Sequence, residues 1–168
     1  MDNTIVTGAS TGIGKATAVE MARAGYHVFL VARSKDKLKQ TAKIIDEANG
    51  SATVLPTDLS KVDQINQLIQ KIFNQVESVG AIINIAGIWH GKDEVYAETD
   101  FQNFKQQVIL DTYTVGFIAP SLIVHGLLSK MKPKSKVVNL SGTFENGAKG
   151  WLPYYASKRA LEDLTIGL

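Results

Sequence analysis

Two kinds of apolar pattern alternate along this chain. Short, nearly continuous apolar runs occupy residues 3–6, 27–32 (H-V-F-L-V-A), 52–55, 81–86 (A-I-I-N-I-A) and 136–140. Such runs suit strands covered on both faces. Between them, apolar residues recur every three or four positions, the helical period. The first helix is expected over 12–24, with Gly25 as its stop. Ser34 caps a second, which puts Leu38, Ala42 and Ile45 on one face and ends at Gly50. Ser60 and Asp63 have capping-box spacing, followed by Val62, Ile65, Ile69, Ile72 and Val76. A loop spans 87–99. Residues 101–131 read as a long apolar helical region that Pro120 should bend or divide. The last helix starts near Pro153. Strands alternating with helices predict an α/β fold: a Rossmann-like, doubly wound parallel sheet of five strands, with expected order 3-2-1-4-5.

Right-handed crossovers bring the loops after the first, fourth and fifth strands to one edge of such a sheet. The loop after the first strand carries the strongest chemical signal, Thr7-Gly8-Ala9-Ser10-Thr11-Gly12-Ile13-Gly14. Gly8 permits a tight turn off the strand. Gly12 lets backbone approach a phosphate, and Gly14 lets the helix pack on the strand. The helix start offers unpaired N–H groups and a positive dipole end. An ordinary tight strand-to-helix turn is the alternative.

The end of the second strand reads Ala32-Arg33-Ser34, with no carboxylate. An acidic residue there would hold a ribose 2′-OH; Arg33 instead suits a 2′-phosphate, so NADP is expected, with NAD possible. A solvated loop arginine is the alternative. Asp58 stands where it could reach an adenine edge, or serve as a turn aspartate.

Composition narrows the picture. The chain has 168 residues, 45% hydrophobic and 20% charged, with net charge +2 and no cysteine. One domain is expected. Disulfide frameworks and thiol chemistry are excluded. The charge gives no reason to expect nucleic acid or an anionic membrane as partner. Lys130, Lys132, Lys134 and Lys136 cluster where a helix should end, which dipole compensation explains. No signal peptide and no apolar run long enough to span a bilayer stands out, so a cytoplasmic location is expected. His27, His125 and His90 are read as structural or unassigned, and no metal site is expected.

Tyr154 and Lys158 are i and i+4 on the last helix, so their head groups can converge. An ammonium about 4 Å from a phenol supplies roughly 4 kcal/mol at an effective dielectric of 20, about three pKa units. That would bring tyrosine to neutral pH. Tyr155 and Arg159 have the same spacing, and spacing alone does not choose between the pairs.

Together these pieces resemble the short-chain dehydrogenase/reductase family, in its T-G-x-x-x-G-x-G and Y-x-x-x-K subgroup. The matching residues are the glycine turn, Asp58-Leu59, Asn84-Ile85-Ala86-Gly87, Val138-Asn139-Leu140-Ser141 and Tyr154-Tyr155-Ala156-Ser157-Lys158. The resemblance implies an oxidoreductase moving hydride between NAD(P) and a small carbonyl or alcohol. It selects Tyr154 as acid/base and Lys158 as the residue lowering its pKa and holding the nicotinamide ribose. It gives Asp58 to adenine, and lays Asn84, Ala86 and Gly87 along the ribose and the sheet centre. It implies a homodimer or homotetramer.

For the catalytic serine, the interval to Tyr154 points to Ser141, whereas aligning Asn139-Leu140-Ser141-Gly142 on the family's N-[IV]-S-S puts Gly142 there; Thr143 is a further hydroxyl. Two other departures are Tyr113 in place of the N-x-x-G asparagine, with Asp111 and Thr112 as alternatives, and Ile85 in N-N-A-G. A partial domain, 1–168, lacking a C-terminal substrate region is expected. Trp151, Leu152 and Tyr155 are candidates for an apolar substrate wall. A non-catalytic dinucleotide-binding sensor or scaffold is the alternative function.

Overall fold

The computed structural model describes residues 2–88, 98–142 and 149–168. Five parallel strands form one sheet in the order β3-β2-β1-β4-β5. They are β1 (Asn3–Thr7), β2 (His27–Ala32), β3 (Ser51–Pro56), β4 (Val79–Asn84) and β5 (Met131–Asn139). The helices are α1 (Gly12–Arg23), α2 (Lys35–Glu47), α3 (Val62–Gln75), α4 (Gln106–Tyr113), α5 (Ala119–Leu127) and α6 (Leu152–Gly167). The fold class and strand order are those the apolar pattern predicts.

Strand side chains alternate between faces, and the core divides accordingly. Ile5, Phe29, Val31 and Ile82 pack with α3 and α5 through Leu68, Ile72, Ile123 and Leu127. Their neighbours Val6, Val28, Leu30 and Ile83 pack with α1 and α2 through Ala18, Ala22, Leu38 and Ile45. Both faces are covered along β1, β2 and β4, which accordingly carry near-continuous apolar runs.

Several local expectations change. Ser34 does cap α2, accepting a bond from the Lys37 amide. Ser60 does not cap α3: the N-cap is Lys61, with no side-chain bond. The Ser60 amide and hydroxyl both donate to Asp58 Oδ1, at 3.0 and 2.9 Å, which uses the serine in the preceding turn. β5 begins at Met131 rather than at 136. Between the pairs Val79–Met131 and Ala81–Lys136, residues 132–135 of β5 face Gly80 alone on β4. Ser135 fills this bulge, taking the Lys132 amide and donating to the Val79 carbonyl. Lys132, Lys134 and Lys136 therefore lie in a strand and compensate no helix dipole. Lys130 donates to the Val76 carbonyl at 2.9 Å and lies 4.3 Å over the Phe73 ring.

Residues 114–118 form a π-helical turn between α4 and α5, in which the Ala119 amide reaches back to the Thr114 carbonyl. Pro120 has no N–H to return to Gly116, so the ladder slips to wider spacing there. Helix thus continues from Gln106 to Lys130, 25 residues with mean hydropathy 1.5 over its most apolar window, long and apolar enough to cross a membrane by length and composition. The expectation of no such run is corrected. Val115, Ala119, Ile123, Val124 and Leu127 of this run belong to the sheet core, whereas Leu110, Ile118 and Leu128 are exposed.

His27 joins the edge strand β3 to β2. Its Nδ1 lies 2.6 Å from Ser51 Oγ and its Nε2 2.8 Å from Thr53 Oγ1. Burial lowers its pKa below the usual histidine value. The folded protein then takes up the proton less readily than the unfolded chain. His27 stabilises the fold in full above about pH 6.5, and that contribution is lost as pH falls through the folded value. The thermal midpoint of the wild type should fall more steeply between pH 7.5 and 5.5 than that of His27→Gln. Equal slopes would remove His27 as the cause.

Candidate active site

The cleft at the carboxyl edge of the sheet has a volume of ≈ 700 Å³. The turn after β1, the β2 exit, the turn after β3, the β4 exit, α4 and α6 all contribute to its wall. Of the residues the sequence nominates, Gly8, Ser10, Thr11, Gly12, Ile13, Gly14, Arg33, Asp58, Ala86, Gly87 and Tyr154 line it.

The glycine turn is built as its spacing implies. Gly8 has φ +74° and a Cβ there would stand 3.0 Å from the Ala86 amide nitrogen. A Cβ on Gly14 would stand 2.2 Å from the Gly8 carbonyl oxygen, so α1 can start here only without one. Gly12 has φ +51° and open space where its side chain would be. Thr11 is the N-cap of α1 and makes no side-chain capping bond, and the first turn holds no acidic residue. The cleft is thus bordered by a bare, positively polarised helix end, the arrangement that receives a phosphate.

Thr7 has a role that the glycine spacing alone does not reveal. Its hydroxyl accepts from the Ile85 and Ala86 amides at 3.0 and 3.1 Å. These two residues are therefore drawn out of β4, which ends at Asn84 rather than at 86. Thr7 is 1% exposed. The signal available was a hydroxyl residue directly before the first glycine.

At the β2 exit, Arg33 is joined in the wall by Ser34 and Lys37, one turn into α2. Lys37 was not singled out from sequence, although its i+4 spacing from Arg33 was visible. Asp58 lies opposite. Burial works to raise its pKa, but the Ser60 bonds and the positive Arg33 and Lys61 outweigh this and leave it below the usual carboxylate value.

Asn84 is not in the cleft wall. It is 1% exposed, inside the sheet, where its Nδ2 donates to Asn139 Oδ1 of the facing strand at 2.8 Å. Asn84 thus braces β4 against β5 at the sheet centre. Ile85, in contrast, lines the cleft.

Tyr154 and Lys158 converge, with the ammonium 5.5 Å from the phenol ring centroid. Their slot is cut by two glycines. A Cβ on Gly87 would stand 3.7 Å from Tyr154 Cε2, and one on Gly142 would stand 3.1 Å from Cε1 and 3.6 Å from the hydroxyl. Lys158 is buried and donates to the Leu140 carbonyl at 2.7 Å. Burial raises the Tyr154 pKa and lowers that of Lys158. Desolvation of the phenol works against the lowering that a neighbouring ammonium supplies.

Among the described residues, Gly142 lies beside the Tyr154 hydroxyl. Ser141, the favoured serine, turns its hydroxyl to Glu162 Oε1 on α6. Thr143, Trp89 and His90 lie outside the described residues. Among the polar candidates near Tyr113, Thr112 is buried and bonded to the Val108 carbonyl, whereas Asp111 lines the cleft and accepts from Gln107 Nε2 at 2.8 Å. Tyr113 itself closes α4 at the start of the π turn. Gly116 in that turn packs on α6 so closely that a Cβ would stand 2.5 Å from Ser157 Oγ. Trp151 meets Tyr154 edge-on, ring centroids 6.2 Å apart. Among the described residues no cluster suited to a metal occurs.

Known proteins share this arrangement. A family model described as short chain dehydrogenase matches residues 2–168. A fatty acyl-CoA reductase of Acinetobacter baylyi is 32% identical over 160 residues, which cover 94% of this chain and 53% of that protein. A 7beta-hydroxysteroid dehydrogenase of Clostridium sardiniense is 33% identical over 164 residues, covering 93% and 58%. A metagenomic short-chain oxidoreductase solved in complex with NADP superposes with a TM-score of 0.89 at 27% identity, covering 99% of this chain and 74% of that one. The chain spans a little over half the length of the two named relatives. The chain belongs to the short-chain dehydrogenase family of oxidoreductases.

Replacing Thr7 by Val should leave the Ile85 and Ala86 amides unpaired while keeping the shape. Stability should fall by about 2 kcal/mol or more, read from denaturant unfolding. A loss below about 0.5 kcal/mol would mean that other acceptors serve these amides.

Proposed function

We propose that this member of the short-chain dehydrogenase family moves hydride between NADP(H) and a small carbonyl or alcohol, with Tyr154 as its acid/base. The observation carrying this reading is one continuous cleft that runs from the Gly8–Gly14 turn and Arg33 to Tyr154. The residues fit a dinucleotide. Gly12 leaves open space beside an uncapped helix start, and no side chain fills the approach to that backbone. Ser10, Thr11, Gly12 and Ile13 would hold the pyrophosphate on α1. Arg33, with Lys37 and Ser34, would hold a 2′-phosphate. Asp58 would border the adenine, and Ala86 and Gly87 the ribose. The NADP in the solved relative supports this choice, and nothing in the wall rules out NAD.

When bound, the dinucleotide supplies or takes up the hydride. The chain's own groups manage the proton. Tyr154, its pKa raised by burial, keeps its proton near neutral pH. It is then ready to give that proton to the oxygen of a carbonyl undergoing reduction. Lys158, which donates to the Leu140 carbonyl, would in its charged form favour the tyrosinate left behind and would hold the ribose. A second reading, cofactor binding without turnover, draws on one observation: Gly142 has no hydroxyl to offer beside Tyr154. Exposed Leu110 and Ile118 on the long helical run favour assembly of like subunits.

NADPH and NADH titrations by fluorescence, followed by a panel of ketones and aldehydes, test the reading on the full-length protein. Arg33→Ala should weaken NADPH binding by about 10- to 100-fold, the worth of a charged hydrogen bond, and leave NADH nearly unchanged. Tyr154→Phe should keep NADPH binding and abolish turnover. Tight binding without turnover on the whole panel would favour the second reading. A folded protein that binds neither dinucleotide would overturn both.

A further inference from the structure

The exit of β5 is fastened to α6 at successive residues. Asn139 Nδ2 donates to Thr165 Oγ1 at 2.9 Å. The Leu140 carbonyl accepts from Lys158 Nζ at 2.7 Å. Ser141 Oγ donates to Glu162 Oε1, whose other oxygen takes Arg159 at 2.5 Å. Lys158 and Glu162 are one turn apart on the same helix face, so they grip adjacent residues. The next residue is Gly142, whose backbone lies against the Tyr154 ring and hydroxyl.

We propose that Ser141 and Glu162 are a positioning pair: their bond holds the β5 exit on α6, aims the Leu140 carbonyl at Lys158 Nζ, and keeps Gly142 against the phenol. The Ser141 hydroxyl acts through Glu162 and is not delivered to the substrate oxygen. Burial leaves Lys158 with few conformations, and the carbonyl it bonds is fixed only if the chain around residue 141 is fixed. Arg159 orients the Glu162 carboxylate from the solvent side, where an ion pair adds little stability of its own. The inference rests on the reading above for the role of Lys158, but the Ser141–Glu162 coupling can be read without turnover.

The test is a double-mutant cycle on the full-length protein with Ser141→Ala and Glu162→Met. Three quantities are read: kcat on a carbonyl substrate, the Kd for NADPH, and the rate of amine labelling of Lys158 by mass spectrometry. Each single change should lower kcat and weaken NADPH binding by about 3- to 10-fold, the worth of one hydrogen bond, and speed the labelling of Lys158. The double variant should lose no more than the worse single one, because both changes break the same bond. Glu162→Gln keeps an acceptor for Ser141 and should recover wild-type behaviour, although it ends the ion pair with Arg159. If Glu162→Met does not fold, Ser141→Ala and Glu162→Gln decide the outcome.

Losses that multiply in the double variant would overturn the pairing. So would a loss of about 100-fold or more in kcat for Ser141→Ala with Glu162→Met harmless, the pattern of a donor to the reacting oxygen. A wild type that binds NADPH and turns over nothing would defeat the proposed function. The Kd and labelling cycles would still decide the clamp.

Discussion

Backbone touching backbone, between the turn after β1 and the exit of β4, is the contact on which this structure depends. Gly8 lies so close to Ala86 that no side chain fits between them, and Thr7 fills the bonding needs of the two amides beside it. Gly14 in turn rests on the Gly8 carbonyl. The start of α1, the end of β1 and the end of β4 are thereby one unit. The cleft exists because these segments cannot separate, and its polar wall follows from the helix end that Gly14 brings in.

The other end of the cleft is assembled differently. There, α6 is held against the sheet by side chains more than by glycine contacts. Ser157 meets Gly116 of the π turn, and Asn139, Leu140 and Ser141 each find a partner on α6. The π turn has a positional consequence. By widening the helix at Gly116, it lets α6 approach at the level of Tyr154 and Lys158. One side of this apolar helical run packs in the core through Val115, Ala119, Ile123, Val124 and Leu127.

Burial sets the electrostatics of that end. Tyr154 and Lys158 are both pushed toward their neutral forms by loss of water. Attraction between phenolate and ammonium favours the charged pair, but desolvation of the phenolate works against it. Lys158 also spends a donor on the Leu140 carbonyl, which anchors its charge beside the backbone.

The order of elements, the parallel sheet and the glycine turn were legible in the sequence because each rests on local rules: a period of two or of 3.6, and a backbone that only glycine allows. Tyr154 and Lys158 were legible through i, i+4 spacing together with family likeness, since spacing alone fitted Tyr155 and Arg159 equally well. What the sequence could not decide depends on distant partners. Spacing gave Ser141 no partner, and its hydroxyl meets Glu162 from 21 positions away. The partner of the Asn84 amide, Asn139, lies across the sheet and 55 positions on. The early start of β5 needed the Val79 carbonyl as an acceptor for Ser135. A sequence states which groups a chain owns and how neighbours along it are spaced. Which buried donor meets which acceptor is decided only when the sheet closes, because only then does the loss of water make each unpaired group costly.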